Sequence, residues 1–137
     1  MVGVMEERYQ FARIGGGSME PTLHGGDIVV YDSVVGQPKI GDILVFPTVV
    51  HRLIWIDPWG GLWHCGDRDG SRPARRKSED VAGRVVAVAR NGKWVDIGPW
   101  PHGSLRRWRL VGDAILRRVL RKTAERLHIL VQNFPFL

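Results

Sequence analysis

Short apolar runs, separated by Gly, Pro, Asn and Asp, dominate the chain as far as residue 97. The runs that predict strands are Ile28–Tyr31, Ile43–Phe46, Val49–Ile56, Leu62–Cys65, Val81–Ala89 and Lys93–Ile97. Turn-forming residues at Asp57–Gly61 and Asn91-Gly92 join neighbouring runs as hairpins. Because no amphipathic helix intervenes, the pattern predicts a mainly β fold, a small twisted antiparallel sheet or an open barrel.

The C-terminal region follows a different period. Apolar residues recur there mostly at steps of three and four, with Arg and Lys between them: Trp108, Val111, Ile115, Val119, Ala124 and Leu127. This spacing predicts a basic amphipathic helix that begins after Gly103 and ends before Pro135. We therefore predict two parts, a β domain at residues 1–104 and a basic helical tail at residues 105–137.

Charge separates the same two parts. The tail carries eight basic and two acidic side chains, which accounts for the whole formal charge of +6 and leaves residues 1–104 neutral overall. The predicted helix, over residues 105–130, has two interpretations. It packs on the sheet with a solvated basic face, or it makes peripheral contact with an anionic membrane surface or an acidic partner. Nucleic acid is not an expected partner, because no recognition motif or aromatic stacking pattern accompanies the charge.

No apolar stretch approaches the roughly 20 residues that a membrane-spanning helix needs. Residues 1–17 lack the apolar segment of a secretory signal. Cys65 is the single cysteine, which excludes an intramolecular disulfide and fits a reducing compartment. We expect a cytoplasmic or peripherally membrane-associated protein without a transmembrane segment.

The first candidate for chemistry is Ser18, which follows three glycines and precedes Pro21 by three positions. A serine hydroxyl becomes a nucleophile when a neighbouring base takes its proton. The glycines let another chain approach closely, and Pro21 fixes the backbone after the serine. By itself this stretch fits a nucleophile turn and an ordinary Gly-Ser loop.

Further segments follow Ser18 in a fixed order. They are Ser18-Met19-Glu20-Pro21-Thr22-Leu23, Gly26-Asp27, Gly41-Asp42-Ile43-Leu44-Val45-Phe46, Val50-His51-Arg52-Leu53, Gly66-Asp67 and Gly83-Arg84-Val85-Val86. Together they resemble the ordered boxes of type I signal peptidases, over about half the chain. The resemblance implies a mostly β fold of the signal-peptidase type, in which the serine and its base face a groove that binds the substrate as an added strand.

Typical bacterial signal peptidases place a lysine base where this chain has His51. The pair His51-Arg52 resembles the archaeal and endoplasmic-reticulum branch, which uses Ser and His. The resemblance therefore implies a serine endopeptidase with Ser18 as nucleophile, His51 as general base and no cofactor. Histidine suits this role because its pKa lies near neutrality.

Two positions depart from that branch. An aspartate a few residues after the Gly-Asp box is thought to orient the histidine, and Pro73 stands near that place. Asp69 is our candidate orienter, with a solvated loop carboxylate as the alternative and Asp67 or Asp80 as further options. Some members also carry a serine two residues before the nucleophile. Gly16 has no side chain to donate, so the oxyanion hole would rest on backbone N–H groups, including that of Ser18.

Two other stretches carry weaker signals. His64-Cys65 suggests a thiol nucleophile, but neighbours on a strand point to opposite faces, which argues against that pair. Arg72–Lys77 is strongly basic, and we expect it to be a solvated loop. If it lines the groove, it would favour acidic substrate segments.

The expected substrate is a leader or signal peptide within a precursor polypeptide. Two alternatives remain open. One is a non-catalytic peptide-binding module on the same fold, which the departures at Gly16 and Pro73 favour. The other is a self-cleaving repressor-type protease, which normally pairs Ser with Lys; the chain before Ser18 is too short to hold a DNA-binding domain.

Overall fold

A computed structural model of the protein describes residues 8–97, 111–112, 115–122 and 125. Its strands are β1 (Tyr9–Arg13), β2 (Ile28–Asp32), β3 (Ile43–Val45), β4 (Val50–Ile56), β5 (Leu62–Cys65), β6 (Ala74–Arg76), β7 (Gly83–Arg90) and β8 (Lys93–Val95). They form one eight-stranded antiparallel sheet, which is not closed. The predicted mainly β fold is therefore confirmed.

The strand order is β1-β2-β7-β3-β4-β5-β6, and β8 pairs with β7. Each of the six apolar runs that predicted strands matches one to within two residues at either end, and Asn91-Gly92 forms the tight turn between β7 and β8. Both turn residues have positive φ, 53° at Asn91 and 74° at Gly92, as a two-residue hairpin of this kind requires. The site described below lies around β4, between β3 and β5.

Two strands were not predicted. β1 lies in the polar start of the chain, and its burial is shallow because it ends the strand order. β6 occupies the middle of Arg72–Lys77, so the prediction of a solvated loop is wrong for Ala74–Arg76. These residues have no apolar periodicity; they form a strand because β5 offers them an edge to pair with.

Three buried clusters hold the sheet together. The largest is formed by Ile14, Met19, Leu23, Val29, Ile43, Val45, Val85 and Val88. A second packs Leu44 and Phe46 against Leu53 and Leu62. Cys65 belongs to the third, with Ile54 and Trp63, and is a buried thiol. The first cluster matters most for function because it buries side chains on either side of Ser18.

The C-terminal residues that the structure describes, at 111–112, 115–122 and 125, are helical. The predicted ends of this helix and the boundary at residues 104 and 105 lie outside the described residues. Of the predicted apolar stripe, Val111 is buried, but Ile115 and Val119 are exposed. No helix in the described part of the chain is long and apolar enough to cross a bilayer.

Candidate functional site

Ser18 sits on a short turn that the core fixes on one side. Met19 and Leu23 are buried one turn apart, and the Leu23 N–H donates to the Met19 carbonyl at 2.9 Å. The Glu20 N–H donates to the Gly17 carbonyl, and the Glu20–Pro21 peptide bond is cis. The apolar residues of the Ser18 box thus point inward, and the serine itself remains exposed.

The backbone of Ser18 is also fixed from the side of β5. The Arg68 N–H donates to the Ser18 carbonyl at 2.9 Å. This approach depends on Gly66, because a Cβ there would lie 2.3 Å from the Ser18 carbonyl oxygen. The glycine of the Gly66-Asp67 box is therefore a packing requirement for placing the serine.

His51 lies on β4 and meets Ser18 across the fold. Its Nε2 is 3.2 Å from the Ser18 Oγ, within the distance over which a base takes the proton of a nucleophile. On β3 the residue opposite His51 is Leu44, which is fully buried. The strand therefore holds the half-buried imidazole with one ring nitrogen facing the serine.

The other ring nitrogen of His51 contacts a second histidine. Its Nδ1 is 2.8 Å from the Nδ1 of His64 on β5. His64 is only 3% exposed and stacks against Phe46, with ring centroids 4.6 Å apart. In the described part of the structure its Nε2 is buried with no hydrogen-bond partner. The three side chains form a line from Ser18 through His51 to His64.

This arrangement limits the tautomers of the two rings, because a hydrogen bond between two Nδ1 atoms needs one donor and one acceptor. When His51 donates, its Nε2 carries no proton and can accept the Ser18 hydroxyl proton. His64 then serves as the acceptor that selects this tautomer. In the opposite tautomer, Nε2 of His51 carries a proton and cannot act as a base.

Both histidines are held in the neutral form. Burial lowers the pKa of His64 to about 4, and the positive charge of Arg76, and of His51 when it is protonated, acts in the same direction. Burial also lowers the pKa of His51, and the negative charge of Asp67 partly opposes that effect. At neutral pH His51 is therefore an unprotonated base, and His64 is a neutral acceptor.

A buried ion pair supports β4 beside the histidines. The Arg52 guanidinium binds the Asp67 carboxylate at 2.7 and 2.9 Å, and both side chains are at most 5% exposed. Arg52 also donates to the Gly41 carbonyl, and the Thr22 hydroxyl donates to Asp67. Residues from four of the boxes recognised in the sequence therefore meet at this pair, which ties the Ser18 turn to β4.

The orienting role predicted for Asp69 stays a prediction. The place beside Nδ1 of His51 is taken by His64, and Asp69 is exposed in the turn after β5. Asp67, the second option, is buried with Arg52 and acts on His51 through its charge. Asp80 lies in the 3-10 turn Ser78–Asp80, and Pro73 is buried.

A groove passes the exposed serine. Its volume is about 600 Å³, and it is lined by residues 12–16 and 45–50 together with Ser18, Met19, Tyr31 and Ala82. β1 ends the strand order, so one of its edges pairs with no other strand of the described sheet. An extended peptide can add to such an edge through its backbone.

The sequence analysis missed His64 for a reason that lies in the strand register. Trp55 pairs with Trp63, but Leu53 pairs with His64, so Ile54 is an extra residue in β4. Without this bulge, Leu53 would pair with Cys65, and the thiol would share a face with His51. The bulge puts His64 on the face of His51 instead, and no glycine or other sequence signal marks its place.

Comparison with protein-family models finds no match to this chain, and comparison with curated proteins finds none. Among residues 8–97 and the described helical residues, no group of three His, Cys, Asp or Glu side chains could hold a metal ion.

Proposed function

We propose that this protein is a serine endopeptidase of the signal-peptidase type, which cleaves an extended leader or signal segment of a precursor polypeptide. The observation that carries the proposal is the contact of 3.2 Å between the Ser18 Oγ and the His51 Nε2, beside an open groove. A nucleophile and a base within hydrogen-bond distance, with a third group that orients the base, make an arrangement that supports acyl transfer.

The proposed reaction has two steps. Nε2 of His51 takes the hydroxyl proton as the Ser18 Oγ attacks the scissile carbonyl, and the same proton passes to the leaving amine as the C–N bond breaks. Water then attacks the acyl-enzyme ester and gives a proton to His51. His51 returns that proton to the Ser18 Oγ as the ester C–O bond breaks, which releases the new carboxyl terminus and restores the Ser18 hydroxyl. His51 becomes an imidazolium twice, and Asp67 favours that charged form.

The groove supports an extended substrate. A peptide that adds to the edge of β1 runs past Gly15 and Gly16, which have open space around them, toward Ser18. The lining is mainly apolar, with Ile14, Val45 and Val49 among its residues. An apolar, extended leader segment fits this surface better than a folded or strongly charged one.

The direct test is covalent labelling with a fluorophosphonate, followed by peptide mass spectrometry. We expect labelling at Ser18 in the parent protein, none in Ser18→Ala and strongly reduced labelling in His51→Ala. His24→Ala is the matched control, because His24 is an exposed histidine whose ring contacts only the Pro21 carbonyl among the hydrogen bonds described.

A co-encoded precursor supplies the second test. The parent protein should cut it within an extended segment, and Ser18→Ala should not. Absence of labelling in a folded parent protein that still binds the precursor would favour the peptide-binding module. Cleavage that survives Ser18→Ala would end the proposal.

A further inference from the structure

The C-terminal helix packs on the body of the protein through its basic side. The Arg118 guanidinium is 3.3 Å from the buried Asp57 carboxylate and lies 4.1 Å from the centre of the Trp59 ring. The ammonium of Lys122 lies 4.8 Å from the same ring. Arg118 and Lys122 are one helical turn apart, so this side of the helix faces the loop between β4 and β5.

The Asp57 carboxylate, which binds the helix through Arg118, is itself fixed by several hydrogen bonds. Besides Arg118, it accepts hydrogen bonds from the Arg75 guanidinium, the Trp63 indole and the Gly61 N–H. Burial alone would raise the pKa of Asp57, but these donors outweigh burial and hold that pKa well below its ordinary value. The carboxylate therefore stays charged and keeps its ion pair with Arg118 of the helix.

The apolar side of the helix consequently faces outward. Ile115, Leu116, Val119 and Leu120 are between 42% and 58% exposed. Residues spaced one, four and five apart lie on one side of a helix, so these four aliphatic side chains form a continuous surface. We call this surface the outer helix face. A contiguous exposed apolar patch on a fixed element is typical of a binding surface.

Basic side chains border the outer helix face. Arg117 and Arg121 are exposed, one turn apart, on the side next to Leu120, and Arg121 also forms an exposed ion pair with Glu125 at 3.5 Å. With Arg118, Arg75 and Trp63 they also line a pocket of about 320 Å³ between the helix and β6. The pocket is rich in guanidinium groups, which match the geometry of phosphate oxygens.

We propose that the outer helix face docks on an anionic phospholipid bilayer. The aliphatic side chains enter the boundary between headgroups and acyl chains, and Arg117 and Arg121 bind lipid phosphates at the pocket. The bilayer is favoured over a second copy of the chain because a symmetric contact through this face would bring arginines of both copies together. This docking does not depend on peptidase activity, and Ser18→Ala should bind as the parent does.

Vesicle sedimentation tests the proposal with the full chain. We expect binding to vesicles of phosphatidylglycerol and phosphatidylcholine, weak binding to phosphatidylcholine alone, and weakening as salt is raised. The double variant Leu116→Glu/Leu120→Glu should lose binding to anionic vesicles. The matched control is Phe11→Glu/Trp94→Glu, which places two charges at exposed apolar positions on β1 and β8; it should keep binding. Circular dichroism checks that both variants are folded.

The charge of the pocket has its own test. Arg117→Gln/Arg121→Gln should weaken partition into anionic vesicles roughly thirtyfold, since each basic residue near such a surface contributes about 1 kcal/mol. Inorganic phosphate at millimolar concentration should compete weakly, because it lacks acyl chains. Unchanged binding of the folded Leu116→Glu/Leu120→Glu variant would overturn the proposal. So would light scattering that shows a dimer dissociated by that variant, together with no binding to vesicles.

Discussion

The Nδ1 atoms of His51 and His64 lie 2.8 Å apart, so the imidazole that faces Ser18 is oriented by a second imidazole. A carboxylate in that position would orient the base and also stabilise its positive charge. A neutral histidine supplies the orientation and less of the charge. Asp67 lies close enough to raise the pKa of His51, so orientation and charge come from two different residues, whereas a Ser-His-Asp triad obtains both from one aspartate.

Replacing His64 tests this arrangement. His64→Phe keeps the ring packed against Phe46 but leaves the Nδ1 proton of His51 without an acceptor. We expect kcat for the precursor to fall roughly 5- to 150-fold, the equivalent of about 1–3 kcal/mol for an unpaired buried donor. KM should hardly change, because His64 does not line the groove.

His64→Gln is the companion variant, since its amide oxygen can accept the same hydrogen bond. Its kcat should lie between those of the parent and His64→Phe. Equal activity in parent and His64→Phe would show that His64 does not position the base.

The pH dependence of cleavage follows from the lowered pKa of His51. The base must be neutral to act, so kcat/KM should rise with pH, with a midpoint below the ordinary histidine value of about 6.5. In Asp67→Asn the charge that raises the pKa is lost, and the midpoint should move lower still. The same variant leaves Arg52 buried without its carboxylate, and its free energy of unfolding should drop by roughly 3–5 kcal/mol. A midpoint above 6.5 in the parent would contradict this account.

Stability in mild acid should depend on His64. Its folded pKa of about 4 lies below the unfolded value of about 6.5, so the unfolded chain binds more protons between these values. Above pH 6.5 His64 is neutral in both states and does not lower the free energy of unfolding. As the pH falls toward 4, protonation of the unfolded chain lowers the free energy of unfolding by about 3 kcal/mol. His51 contributes with the same sign.

Denaturant titrations at several pH values measure this slope. His64→Phe should flatten it between pH 6.5 and 4, where the carboxylates of Asp27 and Asp32, whose pKa values are lowered by Arg90 and Arg8, remain ionised. A slope identical to that of the parent would show that His64 does not titrate in this range.

A side-chain donor at Gly16 should raise the rate. A Cβ at Gly16 meets no atom within 4 Å, so Gly16→Ser fits and can direct a hydroxyl toward the developing oxyanion. Because one such donor is worth roughly 2.7–4 kcal/mol elsewhere, an increase of about tenfold or more in kcat is expected even from an imperfect geometry. Gly15→Ser is the control, with equally open space and no expected gain. Equal rates in the two variants would argue against an oxyanion site beside Gly16.

Gly66 should tolerate no side chain. In Gly66→Ala the new Cβ would lie 2.3 Å from the Ser18 carbonyl, so the Ser18 turn must move away from β5. We expect labelling at Ser18 to fall at least tenfold, with a loss of about 1–3 kcal/mol in stability. Gly15→Ala, with nothing within 4 Å of its Cβ, should label as the parent does. Full labelling of Gly66→Ala would show that this contact does not place the serine.

The sequence by itself determined six of the eight strands of the described sheet and two hairpin turns. These follow from local properties: runs of apolar residues, and turn residues such as Gly60, Asn91 and Gly92 that accept positive φ. The boxes also singled out Ser18 and His51, which the structure brings within 3.2 Å.

Only the tertiary structure decided which residue stands behind His51 and which way the helix faces. One extra residue at Ile54 shifts the register of β4 against β5, and this shift puts His64 rather than Cys65 on the face of His51. The helix likewise turns Arg118 and Lys122 toward the loop between β4 and β5 because Asp57 and Trp59, far away in the sequence, contact these two side chains. Periodicity reports which side chains share a face, but the partner of that face is fixed by register and packing.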